Sequence, residues 1–252
     1  MDLGIAGKTA IVVGGAAGNL GRAVSDRLAA EGVNLVLFQR TQAALDKAAV
    51  ELRAKHGIDV KTVAGDMTQP ADIERLRSAV LQQGVDILIV NSARPPMPMR
   101  DVLDENDDTR WAEAYNGQLL SAIFLVRAIV PIMVERGWGR VIAITSASVK
   151  QPLPHHSLST VYRAGLTALM KHLANENADK GITVNCVSPL SILTEGFKRD
   201  WNLADRIARV PMKRLGTPDE FSSAVAYLAS VPAGFITGQS LQVDGGVTGS
   251  LV

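Results

Sequence analysis

The chain has 252 residues, and 26 Lys and Arg against 25 Asp and Glu leave a net charge of only +1. That balance argues against a partner held mainly by charge, whether nucleic acid or an anionic membrane. Apolar residues make up 47% and aromatic ones 4%, which suits buried parallel strands covered by helices.

The first predicted strand, T-A-I-V-V-G (9–14), runs into V-V-G-G-A-A-G-N-L-G-R-A-V and a helix over 20–31. Three tasks need glycine in such a turn: a tight bend, backbone approach to a pyrophosphate, and close packing of helix on strand. Gly15 and Gly21 fit the first and last, with Gly18 between them. The helix behind the turn points N–H groups and its positive dipole end at phosphates. A glycine turn placed after a first strand favours a dinucleotide over a turn without a ligand.

The second strand, N-L-V-L-F-Q (34–39), ends Phe38-Gln39-Arg40. A carboxylate there would take the 2′-hydroxyl of the adenosine ribose, whereas a guanidinium suits a 2′-phosphate. Arg40 therefore favours NADP(H), with NAD(H) as the second choice. The bland alternative is a solvated loop arginine.

Helices over 41–56, 70–83, 106–136, 159–180 and 218–230 then alternate with strands 59–64, 86–91, 140–145, 183–188 and 240–243. Alternation of this kind implies one α/β domain over 1–252: a Rossmann-type, doubly wound, parallel seven-stranded sheet with helices on both faces. Two stretches break the rhythm. Residues 92–101, S-A-R-P-P-M-P-M-R-D, and 189–217, carrying Leu193, Phe197 and Trp201, follow strand ends. Ligands bind beyond the carboxyl ends of such strands, so both loops are placed to wall an apolar cleft. Packing against a subunit neighbour is the alternative for their apolar side chains.

The lone Cys186 lies in I-T-V-N-C-V and reads as a buried, inert thiol. The opening M-D-L-G-I-A-G-K-T has no signal-peptide layout. No apolar run is expected to reach the ~18 residues of a membrane span. A cytoplasmic protein without a membrane partner or a metal site is the expectation.

The glycine turn, A-G-D-M (64–67), N-S-A-R (91–94), G-R-V-I-A-I-T-S (139–146), G-I-T-V-N-C-V-S-P (181–189), R-L-G-T-P-D-E (214–220) and I-T-G-Q-S-L-Q-V-D-G-G (236–246) span the whole chain. In these motifs the chain resembles the short-chain dehydrogenases/reductases of the compact single-domain type. The resemblance implies hydride transfer between a nicotinamide and a small carbonyl or alcohol substrate, expected here to be apolar. It places the cofactor against Gly15, Gly18, Asn19, Leu20 and Gly21, with Asp66 and Met67 beside the adenine. Asn91 and Ala93 would line the cleft, and Pro189, Ile192 and Thr194 the nicotinamide side. A homo-oligomer, tetramer or dimer, built on helices 106–136 and 159–180 is also implied.

That family uses a tyrosine as general acid/base, a lysine that lowers its pKa and holds the ribose, a serine on the carbonyl oxygen, and an asparagine supporting a relay water. The serine matches as Ser146. Thirteen positions on, the tyrosine is replaced by Ser159, and four further the lysine is replaced by Arg163. The asparagine position, seven after Trp111, holds Gln118, and Asn19 stands in the middle of the glycine turn.

Ser159 and Arg163, four apart on a helix, share a face. A serine hydroxyl is a far weaker acid than a phenol, so Ser159 is a poor general acid. Arg163 can donate to ribose hydroxyls but gives up no proton near neutral pH. Gln118 keeps an amide for a displaced water. Asn19 tolerates left-handed backbone better than most residues, and its Cβ weakens cofactor binding without abolishing it. Tyr162 lies about 60° around the helix from Ser159, which favours packing. His155 and His156 are the nearby side chains suited to proton transfer near neutral pH.

Three functions stay open. The first is an NADP(H)-dependent oxidoreductase with a non-standard proton donor. The second is a catalytically inactive cofactor-binding homologue. The third is halohydrin-dehalogenase-like chemistry with Ser146 and Arg163, disfavoured because the glycine turn is largely kept.

Overall fold

Runs rich in Val, Ile and Leu form the inner parallel strands because both their faces are covered, so neither face needs polar residues, whereas the two edge strands carry polar ones. The computed structural model describes residues 1–16, 20–194 and 203–251. The strands are β1 Thr9–Val13, β2 Asn34–Gln39, β3 Val60–Ala64, β4 Ile87–Val90, β5 Gly139–Ile144, β6 Ile182–Pro189 and β7 Ser240–Val243. They lie in the order β3-β2-β1-β4-β5-β6-β7, every pair parallel. The order reverses between β1 and β4, which opens a crevice beyond their carboxyl ends.

Alternate strand residues feed two cores. Val12, Leu35, Leu37, Ile89 and Ile142 pack with residues of α1 (Leu20–Ala30), α2 (Gln42–His56) and α8 (Pro218–Leu228). Ile11, Val36, Phe38, Leu88 and Val141 pack with α3 (Pro70–Val80), α5 (Ser121–Glu135) and α6 (Ser157–Asn177). A short α4 (Asp108–Tyr115) and α7 (Leu203–Arg209) complete the helices.

Local chemistry sets the helix ends. Thr217 and Glu220 form a reciprocal capping box with Pro218 in the first turn of α8. The Asp107 side chain accepts the Thr109 N–H at the start of α4. Gly57 ends α2 in the left-handed region at φ 67°.

Three expectations need correction. The helix expected over 106–136 is divided: a π-helical turn, Asn116–Leu120, joins α4 to α5. The stretch 189–217, read as irregular, contains α7. Residues Asp108–Glu135 are also long and apolar enough by composition to cross a membrane, contrary to the expectation that no run is. Leu125, Val126, Ile129, Val130 and Met133 of that stretch are buried in the core beneath the sheet.

Candidate active site

The glycine turn is braced from both sides. Gly14, not Gly15, makes the left-handed bend, with φ 66°. Gly15 is instead a packing glycine: a Cβ there would lie 2.5 Å from Ser25 Oγ. Gly21 permits the closest approach, since its Cβ would meet the Gly14 carbonyl oxygen at 2.4 Å and Asn91 Nδ2 at 2.9 Å. Asn91 Nδ2 donates to the Val13 carbonyl at 3.2 Å, and Gln39 Oε1 accepts the Ala16 N–H at 3.2 Å. Leu20 opens α1 and packs partly against the core. Gly18 and Asn19 lie outside the described residues, as do Phe197 and Trp201.

At the end of β2 the Arg40 side chain is 80% exposed, with Nη1 3.9 Å from Asp66 Oδ2. Asp66 turns its other oxygen to the Thr68 N–H at 2.9 Å and hydroxyl at 2.8 Å. This Asx turn fixes the carboxylate at the strand tip. The Met67 side chain is buried in the core.

Beyond β5, Ser146 accepts from the Ser148 N–H at 3.2 Å and the Ser148 hydroxyl at 2.9 Å. Its own hydroxyl proton is therefore free to donate to a substrate oxygen. Ser159 and Arg163 are both buried on α6. Arg163 Nη1 donates to the carbonyls of Ile144 at 2.7 Å and Thr145 at 3.2 Å, and Nη2 approaches that of Ala93 at 3.5 Å. The guanidinium is thus turned towards the strand ends, a contact the sequence expectation of ribose binding did not include. Three of its five N–H donors are used, which leaves Nε–H and one Nη2–H. Burial, helped by the charge of Arg94, pushes Arg163 down to about 10, so it is still a cation at neutral pH.

Gln118 is fully buried on the π-helical turn, and neither its Nε2 nor its Oε1 has a partner among the described residues. A buried carboxamide with both ends unpaired calls for a water or a ligand group. The turn touches the cleft loop, where Ala93 N–H donates to Gly117 O at 3.3 Å.

The displaced Tyr162 packs. Its ring centroid lies 6.1 Å from that of Trp111, edge-on, and 5.9 Å from that of Tyr115. Burial and the neighbouring Tyr115 raise its pKa, which makes it a still weaker acid. His155 is exposed and takes φ 59°, its Nδ1 3.2 Å from Asp101 Oδ2. His156 Nδ1 donates to Pro154 O at 2.7 Å. No hydrogen bond or ion pair among the described residues joins either ring to Ser146, Ser159 or Arg163. Cys186 is buried and its thiol pushed up to about 12.

The wall formed by 92–105 was legible only as an irregular loop. Its clasp is Arg110, which binds both oxygens of buried Glu105, at 2.5 and 3.0 Å, and donates to Pro98 O at 2.5 Å. On the other side, Pro189 ends β6, and Ile192 bridges to Gly216 with Leu193 N–H on Gly216 O at 2.8 Å. Thr194 follows, half-buried. A 480 Å³ cavity lies beside this bridge, lined by Leu190, Ile192, Val210, Met212 and Gln242 among others. Ser146, Ser159 and Arg163 do not line it.

Residues 15–248 match a family model described as enoyl-(acyl carrier protein) reductase. The chain belongs to the short-chain dehydrogenase/reductase family. It is 32% identical over 252 residues to 2,3-dihydroxy-2,3-dihydro-p-cumate dehydrogenase of Pseudomonas putida, covering 98% of this chain and 96% of that one. It is also 32% identical to dehydrogenase/reductase SDR family member 4 of Oryctolagus cuniculus, covering 98% and 96% of the two chains. Among solved structures, L-sorbose reductase of Gluconobacter frateurii, complexed with NADPH and L-sorbose, superposes with a TM-score of 0.91 at 31% identity over 100% of both chains. The protein is an oxidoreductase of the short-chain dehydrogenase/reductase type, and its order of strands places Ser146, Ser159 and Arg163 beyond the tips of β4 and β5.

Proposed function

We propose that the protein is an NADP(H)-dependent oxidoreductase acting on a small carbonyl or alcohol, with a water in place of the tyrosine proton donor. Arg163 carries this reading. It is a buried cation with two unused N–H donors, next to a residue too small to fill a phenol's place. The residues present suit a dinucleotide: a bare glycine bend, an exposed Arg40 at the tip of β2, and no carboxylate at residues 38–40 of that strand end. Gluconobacter L-sorbose reductase, solved with NADPH, adds support.

When bound, the nicotinamide supplies or accepts the hydride. Ser146 donates its free hydroxyl proton as a hydrogen bond to the substrate oxygen. The Arg163 cation stabilises negative charge developing there, an effect strengthened by its dry surroundings. A water held between the Ser159 hydroxyl and the spare Arg163 donors gives its proton to that oxygen, and the hydroxide is lost to solvent. Gln118, whose carboxamide is buried and unpaired, holds a second water at the π-helical turn.

The same replacement of tyrosine and lysine favours a second reading, a cofactor-binding protein without turnover. Titration with NADPH and NADH, followed by cofactor fluorescence and then by turnover on ketones, aldehydes and alcohols, separates the two. The proposal expects tighter binding of NADPH with slow turnover. Binding with no turnover on any member of the panel supports the second reading.

A further inference from the structure

Arg94 occupies the last position of N-S-A-R, directly after Ala93, whose carbonyl faces Arg163 Nη2. It is exposed and makes no hydrogen bond or ion pair among the described residues. Asp104, in the same loop, pairs with neither guanidinium, and the other two acids of that loop are already engaged. Glu105 is held by Arg110 at 2.5 Å, with Arg100 at 3.6 Å, and Asp101 is held by His155 at 3.2 Å. Among the described residues Arg163 itself donates only to neutral carbonyls. Two guanidinium groups therefore share one end of the cleft, and no carboxylate of the described chain pairs with either.

A buried cation is normally matched by an acid, because charge taken out of water is costly without a partner. Burial is the main reason that the Arg163 pKa is lowered, and the like charge of Arg94 adds to it. An anion entering the cleft relieves this repulsion and finds a guanidinium fork suited to carboxylate or phosphate. Arg40 is set apart from this pair, at the tip of β2, three strands away from β5 in the sheet. One end of the crevice thus suits the adenosine phosphate and the other a separate anion.

We infer that the substrate of this oxidoreductase carries a carboxylate or phosphate, and that Arg94 grips it at the mouth of the cleft. The inference rests on the proposed NADP(H) reading for its reaction but not for its binding. It replaces the apolar substrate expected from the loop composition with an anionic one.

The test is calorimetric titration of 2-oxobutanoate, its methyl ester and inorganic phosphate into protein saturated with NADP⁺, where the oxidised cofactor prevents turnover. Arg94→Gln and Arg94→Lys are titrated alongside. The oxo acid should bind about tenfold or more tightly than the ester, a margin that one charge-assisted pair supplies. Arg94→Gln should erase that preference and leave NADP⁺ affinity unchanged, while Arg94→Lys keeps part of it. Equal binding of acid and ester, no binding of either, or an acid preference that survives Arg94→Gln overturns the inference. A loss of NADP⁺ affinity in Arg94→Gln without change in the acid preference also overturns it, by assigning Arg94 to a cofactor phosphate. If NADP⁺ does not bind at all, the same titration on the cofactor-free protein decides between the two claims. An Arg94-dependent acid preference would then stand while the dinucleotide reading fell.

Discussion

Arg163 Nη1 lies 2.7 Å from the carbonyl oxygen of Ile144, so a buried cation pins α6 to the tip of β5. The second bond, to Thr145 O, and the approach to Ala93 O extend the same clamp to the loop beyond β4. Two opposing effects act on its removal: charge-assisted bonds are lost, and the cost of a buried charge is relieved. Arg163→Lys separates them, because it keeps the charge and loses the fork. It should unfold at lower urea concentration, with a loss of about 1–2 kcal/mol. An unchanged unfolding midpoint would show that the clamp contributes nothing to stability.

Tyr162 is the phenol nearest in sequence to Ser159, and its ring packs against Trp111 and Tyr115. Tyr162→Phe should leave turnover within about twofold, since an aromatic ring alone preserves the edge contacts. Tyr162→Ala should lose about 1–3 kcal/mol of stability through those contacts. Activity that collapses in the phenylalanine variant, with the fold intact, would make Tyr162 the acid after all.

Arg40 is exposed, and among the described residues its one acidic neighbour is the distant Asp66 at 3.9 Å. Its proposed ligand is the 2′-phosphate, to which one charge-assisted pair gives about 1.5–3 kcal/mol. Arg40→Ala should raise the Kd for NADPH by about tenfold or more and leave that for NADH nearly unchanged. Equal losses for both cofactors would mean that the side chain does not read the phosphate.

The start of α8 carries an acid-sensitive contact. Glu220 binds Arg214 through both oxygens, at 2.6 and 2.9 Å, and also accepts the Thr217 N–H at 2.8 Å. These bonds hold its carboxyl down to about 2, against an ordinary value of 4.5. Because the folded value is the lower one, the stabilisation is present above pH 4.5 and is lost as pH falls towards 2. Glu220→Gln should therefore flatten the acid limb of a stability-versus-pH curve in that window. A limb of unchanged slope would place the acid sensitivity elsewhere.

Much of the fold was legible because the inner strands have apolar residues on both faces and the helices between them a polar side. The strands β2 and β7 fall on the ranges read from sequence, and the others within a residue or two. The π-helical turn was not legible, since N-G-Q-L-L continues the helical period of its neighbours. α7 was missed because seven residues inside a long connection give little more than one amphipathic repeat. At the site, the spacing from Ser146 located Ser159 and Arg163 on one buried face. The orientation of Arg163 was beyond reach, because its partners are backbone carbonyls, which carry no residue signature. The left-handed bend was out of reach too, since it falls on Gly14 and not on Gly15, one place along a glycine pair.

The central claim is that the cleft keeps a cation at Arg163 and lacks an acid at Ser159. It is tested most directly by the single-turnover rate of oxidation of bound NADPH on a panel of carbonyl compounds, oxo acids included, comparing the native protein with Ser159→Tyr. The account predicts a rise of about 10²-fold or more, the usual contribution of a positioned general acid. An unchanged or lower rate in a folded Ser159→Tyr variant that still binds NADPH would contradict it.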